Sequence, residues 1–313
     1  MSRRALVTGG SRGIGRAAAQ ALAERGWRVG LIAREPDELE RTREELAGVG
    51  HETFAMDVCD EAAWGRLAAR LGDVQGLVCA AATLDPVGPI DGLAVADFRR
   101  TLEVNVIGTL LAIRACLPGL RSTRGAVVTF SGGGATAPLP RFNAYAASKA
   151  AVVRLSENIA LELAGEGVRI NSVAPGFVAT GIHRSTLAAG PERAGAAYFE
   201  HTRAELRRGG VPASEAAELV CLLLEHDPHA PFTGKLISAQ WDPWRDREFR
   251  GRLAQERNLA TLRRIDDRQF ATIADETSAN GTSADGTSTS RPLPGHAPAP
   301  GTIDSSSGPP AGR

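Results

Sequence analysis

The stretch Ala5-Leu6-Val7-Thr8-Gly9-Gly10-Ser11-Arg12-Gly13-Ile14-Gly15 decides the fold. A short strand-like run, Ala5–Thr8, leads straight into a glycine-rich turn, and an amphipathic helical pattern follows near 14–25. A glycine-rich turn between a first strand and a first helix is the setting in which main chain cradles a dinucleotide phosphate. Gly9 permits the tight turn, Gly13 lets the backbone approach a pyrophosphate, and Gly15 lets the helix pack close to the strand. Ser11, Arg12 and Ile14 complete the loop. The helix beyond it presents free N–H groups and its positive dipole end.

Working outward, six more strand-like runs follow: Arg28–Ala33, Thr53–Met56, Gly76–Ala80, Ala126–Phe130, Arg169–Val173 and Lys235–Ser238. Amphipathic stretches near 37–47, 60–70, 97–116, 145–164 and 214–225 separate them. Such alternation implies an α/β fold: a single Rossmann-type, doubly wound, parallel seven-stranded sheet with helices on both faces. The expected domain spans residues 1–245. Residues 246–270 keep apolar residues at helical intervals and read as a helical extension. Residues 271–313 are rich in Ser, Thr, Gly, Pro and Ala, with no aromatic after Phe270. That tail buries too little apolar surface to offset its ordering entropy and is expected to be disordered.

The 313 residues carry a formal net charge of +0, so no global field draws nucleic acid or an anionic membrane. Cys59, Cys79, Cys116 and Cys221 are widely spaced and form no CxxC pair, which favours a reduced, cytoplasmic chain over a disulfide framework or a zinc site. No metal-ligand spacing is visible. No apolar run reaches the length of a membrane span. The first strand begins at Arg4, so no secretory leader is expected.

The chemistry gathers at Tyr145-Ala146-Ala147-Ser148-Lys149. The chain has two tyrosines in all, and its 36 basic residues include two lysines against 34 arginines. One of each stands four positions apart, on one helical face. Lysine is a compact charge suited to hydrogen-bonding a sugar hydroxyl. A tyrosine titrates near ~10 in water, and a neighbouring cation favours its phenolate. The pair is therefore a candidate acid/base. At the end of the second strand stands Arg34, where an acid would bind a ribose 2′-hydroxyl. Arg34 and Arg12 are suited to clamp a 2′-phosphate, which favours NADP over NAD, although a solvated surface arginine has the same sequence signature. Asp57, with Val58 beside it, ends the third strand, either to accept from an adenine amino group or to serve as a helix N-terminal carboxylate.

Together these residues resemble the classical short-chain dehydrogenase/reductase family over roughly residues 4–240. The TGxxxGxG loop, Asn105 in Val104-Asn105-Val106-Ile107-Gly108, the YxxxK pair and Asn171-Ser172-Val173-Ala174-Pro175-Gly176 occur in that family's order. The resemblance implies a single-domain oxidoreductase, often a homodimer or homotetramer built on two long helices. It implies that Tyr145 protonates or deprotonates the reacting oxygen, and that Lys149 lowers the tyrosine pKa and holds the nicotinamide ribose. It further implies that Asn105 holds a relay water, that Pro175 and Gly176 shape the nicotinamide pocket, and that Thr180 bonds the carboxamide or a phosphate.

Two departures stand out. The family's Asn-Asn-Ala-Gly after the fourth strand is Cys79-Ala80-Ala81-Ala82 here; the small Ala81 still admits the cofactor, but a side-chain amide tying strand ends together is gone. The family serine, which stabilises the substrate oxygen 13 residues before the tyrosine, falls on Gly132. Aligning the S-x-x-G pattern instead puts Ser131 in that role, with one residue inserted in the loop. Ser131 is the favoured assignment, with Gly132 as the alternative.

Residues 180–211 are where this fold carries a substrate lid, and they include His183, Leu187, Tyr198 and Phe199. Trp241 and Trp244 replace a glycine turn after the last strand, to cover the substrate mouth, anchor a subunit or pack the extension. The reading is an NADP(H)-dependent carbonyl reductase or alcohol dehydrogenase acting on a small molecule. Two alternatives stay open: a non-catalytic or weakly active dinucleotide-binding protein with the serine displaced, and a sugar-nucleotide epimerase or dehydratase.

Overall fold

The structure, a computed structural model, describes residues 3–225 and 231–264. Its strands are β1 (Arg4–Thr8), β2 (Arg28–Ala33), β3 (Glu52–Ala55), β4 (Gly76–Cys79), β5 (Ala126–Phe130), β6 (Arg169–Ala174) and β7 (Leu236–Ser238). All pair in parallel, in the order β3-β2-β1-β4-β5-β6-β7. The helices are α1 (Gly13–Glu24), α2 (Pro36–Glu44), α3 (Glu61–Leu71), α4 (Val95–Leu102), α5 (Gly108–Thr123), α6 (Asn143–Glu162), α7 (Arg184–Ala194), α8 (Ala196–Arg208), α9 (Ala213–Leu224) and α10 (Arg247–Gln255).

The central strands read as unbroken apolar runs because helices cover both faces. Every residue of β4 and β5 is buried. On one face α1 and α9 pack Leu22, Val220 and Leu223 around Trp27. On the other, α3, α5 and α6 pack Trp64, Ile113, Leu120 and Ala160 against the sheet. Strand order reverses at β1, which lies between β2 and β4. Ligands of open α/β sheets bind at the carboxyl ends of the strands at such a point.

Three features differ from the sequence expectation. The helix expected at 97–116 is an unbroken helix over Val95–Thr123, long and apolar enough to cross a membrane by length and composition alone. Arg114 and Pro118 interrupt the apolar run without ending the helix, and Leu111, Ala112, Ile113, Cys116 and Leu120 are buried in the core. A π-helical turn, Glu103–Ile107, joins α4 to α5 within it. Second, α7 and α8 have no counterpart among the expected helices. Both are polar over most of their surface, α7 is interrupted at Gly190 (φ 71°), and Gly195 (φ 84°) separates the two. Third, the extension expected over 246–270 is helical only through α10. Turns follow to 264, and residues 265–313 lie outside the described residues.

The unit containing the sheet runs to Leu262, so α10 and the segment after it share its core. Leu253 of α10 is buried with Trp244 in the α1/α9 layer. Lys235 anchors the segment beyond α10, its Nζ donating to the carbonyls of Glu256 (2.7 Å), Arg257 (3.2 Å) and Leu259 (3.0 Å).

Candidate active site

A cavity of about 880 Å³ opens at the carboxyl ends of the central strands. All the expected coenzyme residues line it: Gly9, Ser11, Arg12, Gly13, Ile14 and Gly15 from the first turn, Arg34, Asp57, Val58 and Ala81 from the next strand ends, and Pro175, Gly176 and Thr180 after β6. Tyr145, Lys149, Ser131 and Gly132 line the same cavity, whereas Asn105 does not.

The glycine turn is built from main chain. Gly9 (φ 64°) and Gly13 (φ 57°) occupy the left-handed region that other residues rarely adopt. A Cβ on Gly9 would lie 2.8 Å from the Ala81 nitrogen, and one on Gly15 would overlap the Gly9 carbonyl. No side chain caps the start of α1, and its first turn contains no acid. Its first N–H groups are therefore left without a capping side chain, which suits a pyrophosphate. The amide lost from the Cys79–Ala82 segment is replaced by two direct ties: Ala81 N–H donates to Thr8 Oγ1 (3.2 Å) and Ala80 N–H to the Thr8 carbonyl (3.2 Å).

Arg12 and Arg34 are at the outer end. Two carboxylates that sequence reasoning passed over, Glu35 and Glu38, line the same end, and the Ser11 hydroxyl donates to Glu38 Oε2 at 3.3 Å. Asp57 accepts from Cys59 N–H (2.9 Å) and from Arg100 (2.6 Å). Burial works to raise its pKa, and these two partners outweigh burial, so the carboxyl stays below its ordinary value.

At the inner end, α6 carries Tyr145 and Lys149 one turn apart. Lys149 is 4% exposed, its Nζ donates to the Phe130 carbonyl at 3.0 Å, and it stands 5.7 Å from the Tyr145 ring centroid. Burial lowers the lysine pKa to about 8. Burial also pushes the Tyr145 phenol above its ordinary value. Desolvation, with Tyr198 beside it, sets the direction of the tyrosine shift, opposite to the lowering expected from Lys149. A phenol held neutral is placed to donate a proton.

The serine position is also corrected. The Ser131 N–H donates to the Val173 carbonyl at 2.8 Å, so the strand pairing runs on from Phe130 through Ser131. Gly132 consequently sits against the tyrosine: a Cβ built there would overlap the Tyr145 hydroxyl. Successive residues of an extended chain point to opposite sides, and among the described residues no hydrogen bond joins Ser131 to Tyr145.

Asn105 is held by hydrogen bonds across the fold. It is 2% exposed in the π-helical turn, a feature common at functional sites. Its amide nitrogen donates to the Thr83 carbonyl (2.9 Å) and to Ser148 Oγ (2.8 Å), while Oδ1 accepts from Thr83 N–H (2.8 Å). Ser148 in turn donates to the Tyr145 carbonyl at 2.7 Å. Engaged at both ends, the side chain ties the loop after β4 to α6, and Oδ1 and the main-chain carbonyl keep acceptor capacity beyond these bonds.

The third wall is the lid. His183 is buried, stacks on Phe177 at 4.0 Å and donates from Nε2 to the Val178 carbonyl (3.2 Å). Burial, against the Val178 carbonyl and with His201, holds its pKa low. Tyr198 of α8 rests on Phe142 with centroids 4.6 Å apart. The two tryptophans separate in role. Trp244 is 3% exposed, with its Nε1 donating to the Ala239 carbonyl at 3.0 Å, and packs in the core. Trp241 is 79% exposed and lines the cavity.

A family model described as short chain dehydrogenase matches residues 3–189. The chain belongs to the short-chain dehydrogenase family. It is 33% identical over 221 residues to the 2,3-dihydro-2,3-dihydroxybenzoate dehydrogenase of Bacillus subtilis (strain 168), covering 68% of this chain and 83% of that one. It is 32% identical over 242 residues to carbonyl reductase family member 4 of Danio rerio, covering 76% and 96%. Among solved structures, a single-substitution variant of actinorhodin polyketide ketoreductase with NADPH superposes with a TM-score of 0.67 at 30% identity, covering 76% of this chain and 95% of that one. An NAD+-bound xylitol dehydrogenase superposes with a TM-score of 0.65 at 25% identity, covering 75% and 96%. As a short-chain dehydrogenase the protein is an NAD(P)-dependent oxidoreductase acting on alcohol or carbonyl groups.

Proposed function

We propose that the protein is an NADP(H)-dependent carbonyl reductase or alcohol dehydrogenase of small molecules in which Tyr145 exchanges a proton with the reacting oxygen. The observation that carries this reading is the shared cavity, with the uncapped start of α1 at one end and the half-buried Tyr145 with the buried Lys149 at the other. When bound, the nicotinamide supplies or accepts the hydride. The N–H groups around Gly13, Ile14 and Gly15 receive the pyrophosphate. Asp57 and Val58 border the adenine, the Asp57 carboxylate keeping lone pairs beyond those used by Cys59 and Arg100. Ala81, Pro175, Gly176 and Thr180 border the inner half, and Lys149 holds the ribose.

Arg34 and Arg12 support NADP over NAD, since no carboxylate ends β2. Loss of a charge-assisted bond to a 2′-phosphate removes about 1.5–3 kcal/mol. Arg34→Ala is therefore expected to weaken NADPH binding about 10- to 100-fold in a fluorescence titration and to leave NADH binding unchanged. Equal effects on both coenzymes, or none on NADPH, contradict the preference.

Four free cysteines, three of them buried, support a reducing, cytoplasmic setting. Exposed Ile107 and Leu161, on the two long helices, support self-association as a homodimer or homotetramer. A second reading, a coenzyme-binding protein with little turnover, is favoured by Gly132 alone. It predicts tight NADPH binding with no carbonyl reduced across a broad panel.

A further inference from the structure

A site with glycine against its acid lacks one hydrogen bond. The reacting oxygen in carbonyl reduction gains negative charge as hydride arrives, and a second donor beside the acid stabilises it. At position 132 no side chain is available, and the Tyr145 phenol fills the space one would occupy. The donor has to come from elsewhere in the cavity wall.

Most polar groups near the inner end are already engaged. The Ser185 hydroxyl donates to Asp85 Oδ2 at 2.8 Å. The His183 Nε2 faces the Val178 carbonyl, and its Nδ1 is sealed from the cavity. Ser131 also lines the cavity, but it precedes Gly132 on an extended chain, so its side chain points to the side opposite the one that meets Tyr145. Tyr198 differs from these. It lines the cavity from α8, and no hydrogen bond engages its hydroxyl among the described residues. That hydroxyl is not among the sealed polar atoms either, so it keeps accessible surface. Its ring rests on Phe142, the residue immediately before α6, and Tyr145 is the third residue of that helix. The chain's two tyrosines flank one small apolar cluster of Leu84, Val87, Phe142 and Ala194. They are near enough for charge on Tyr198 to oppose ionisation of Tyr145.

We propose that Tyr198 is a second catalytic residue, donating a hydrogen bond to the substrate oxygen from the lid helix in the role that Gly132 cannot fill. The proposal rests on Tyr145 being the acid of carbonyl reduction. In that step hydride from the reduced nicotinamide adds to the carbonyl carbon, and the π pair of the C=O bond moves onto oxygen. The Tyr145 O–H bond breaks and its proton goes to that oxygen, leaving tyrosinate, alcohol and oxidised nicotinamide. Tyr198 keeps its proton throughout and supplies only an O–H···O bond. Because Tyr198 belongs to α8, the catalytic set is complete only while that helix packs on Phe142.

Tyr198→Phe keeps the ring on Phe142 and removes the hydroxyl alone. The expected result is a fall of about 10²–10³-fold in kcat for reduction of a carbonyl substrate found by panel screening. NADPH Kd and Tm are expected to match those of the unmodified chain, and KM to change far less than kcat, as for an interaction made in the transition state. A kcat within about threefold of the unmodified protein overturns the proposal. So does a loss of NADPH binding or Tm large enough to account for the kinetic loss, since that marks a packing role. Tyr145→Phe run in parallel separates the two claims. If it retains turnover, the acid assignment fails whatever Tyr198 does. If it loses turnover while Tyr198→Phe does not, only the second donor fails.

Discussion

The two ends of the cavity are built on opposite plans. At the coenzyme end the working groups are main-chain: the glycine turn, the open start of α1, and the short ties between Thr8 and Ala80–Ala81. At the lid end they are side chains from the turn before α7 and from α7 and α8, two helices broken by Gly190 and Gly195: Ile182, His183, Ser185 and Tyr198. A main-chain site tolerates almost no added atoms, because backbone cannot move aside. A side-chain site tolerates change and sets specificity. On the proposed reading, the difference separates the part of the protein that handles a common coenzyme from the part that chooses a substrate.

The largest expected effect contrasts two tryptophans three residues apart. Trp244→Ala empties a buried core position and is expected to lower stability by about 3–5 kcal/mol in chemical denaturation. Trp241→Ala removes an exposed ring at the cavity rim and is expected to leave stability unchanged while altering KM for carbonyl substrates. If Trp241→Ala leaves KM unchanged too, the ring has no part in the substrate mouth.

A glycine pair tests the two plans directly. Gly15→Ala puts a Cβ onto the Gly9 carbonyl, and NADPH affinity should drop about 10- to 100-fold. Gly190→Ala meets nothing within 4 Å, so only its φ of +71° resists. That substitution should cost about 1–2 kcal/mol of stability with NADPH affinity intact. Equal affinity losses at both sites would break the comparison.

The smallest effect concerns Lys149. Its pKa in the folded protein, about 8, lies below the ordinary 10.5. Between those values the unfolded chain holds more protons, so stability rises with pH across that window and is diminished below it. Lys149→Met is expected to melt above the unmodified chain at about pH 7, with the advantage shrinking as pH passes through the window. A lower Tm for the variant near neutral pH would show that the Phe130 carbonyl bond outweighs desolvation.

Legibility followed the same division. The seven strands showed because continuous apolar runs are what two covered faces require, and the glycine turn because each of its glycines has a steric reason. Tyr145 and Lys149 stood out through the scarcity of both residue types. What stayed hidden depended on contacts far apart in sequence. Asn105 meets Thr83 and Ser148, 22 and 43 residues away, and no local pattern announces an amide engaged at both ends. Choosing between Ser131 and Gly132 required the Val173 bond that fixes the strand's register. The lid helices escaped because their faces are mostly polar and their glycines resemble turn signals. Glu35 and Glu38 line the cavity only because α2 starts directly after Arg34 and Glu35.

The most direct test of the central claim is NADPH consumption by the full chain against a panel of small ketones and aldehydes, beside Tyr145→Phe. Reduction by the unmodified chain, lowered about 10²–10⁴-fold in the variant with NADPH Kd unchanged, is the predicted result. Undiminished reduction by Tyr145→Phe, or NADPH binding with no reduction by either protein, would contradict the account.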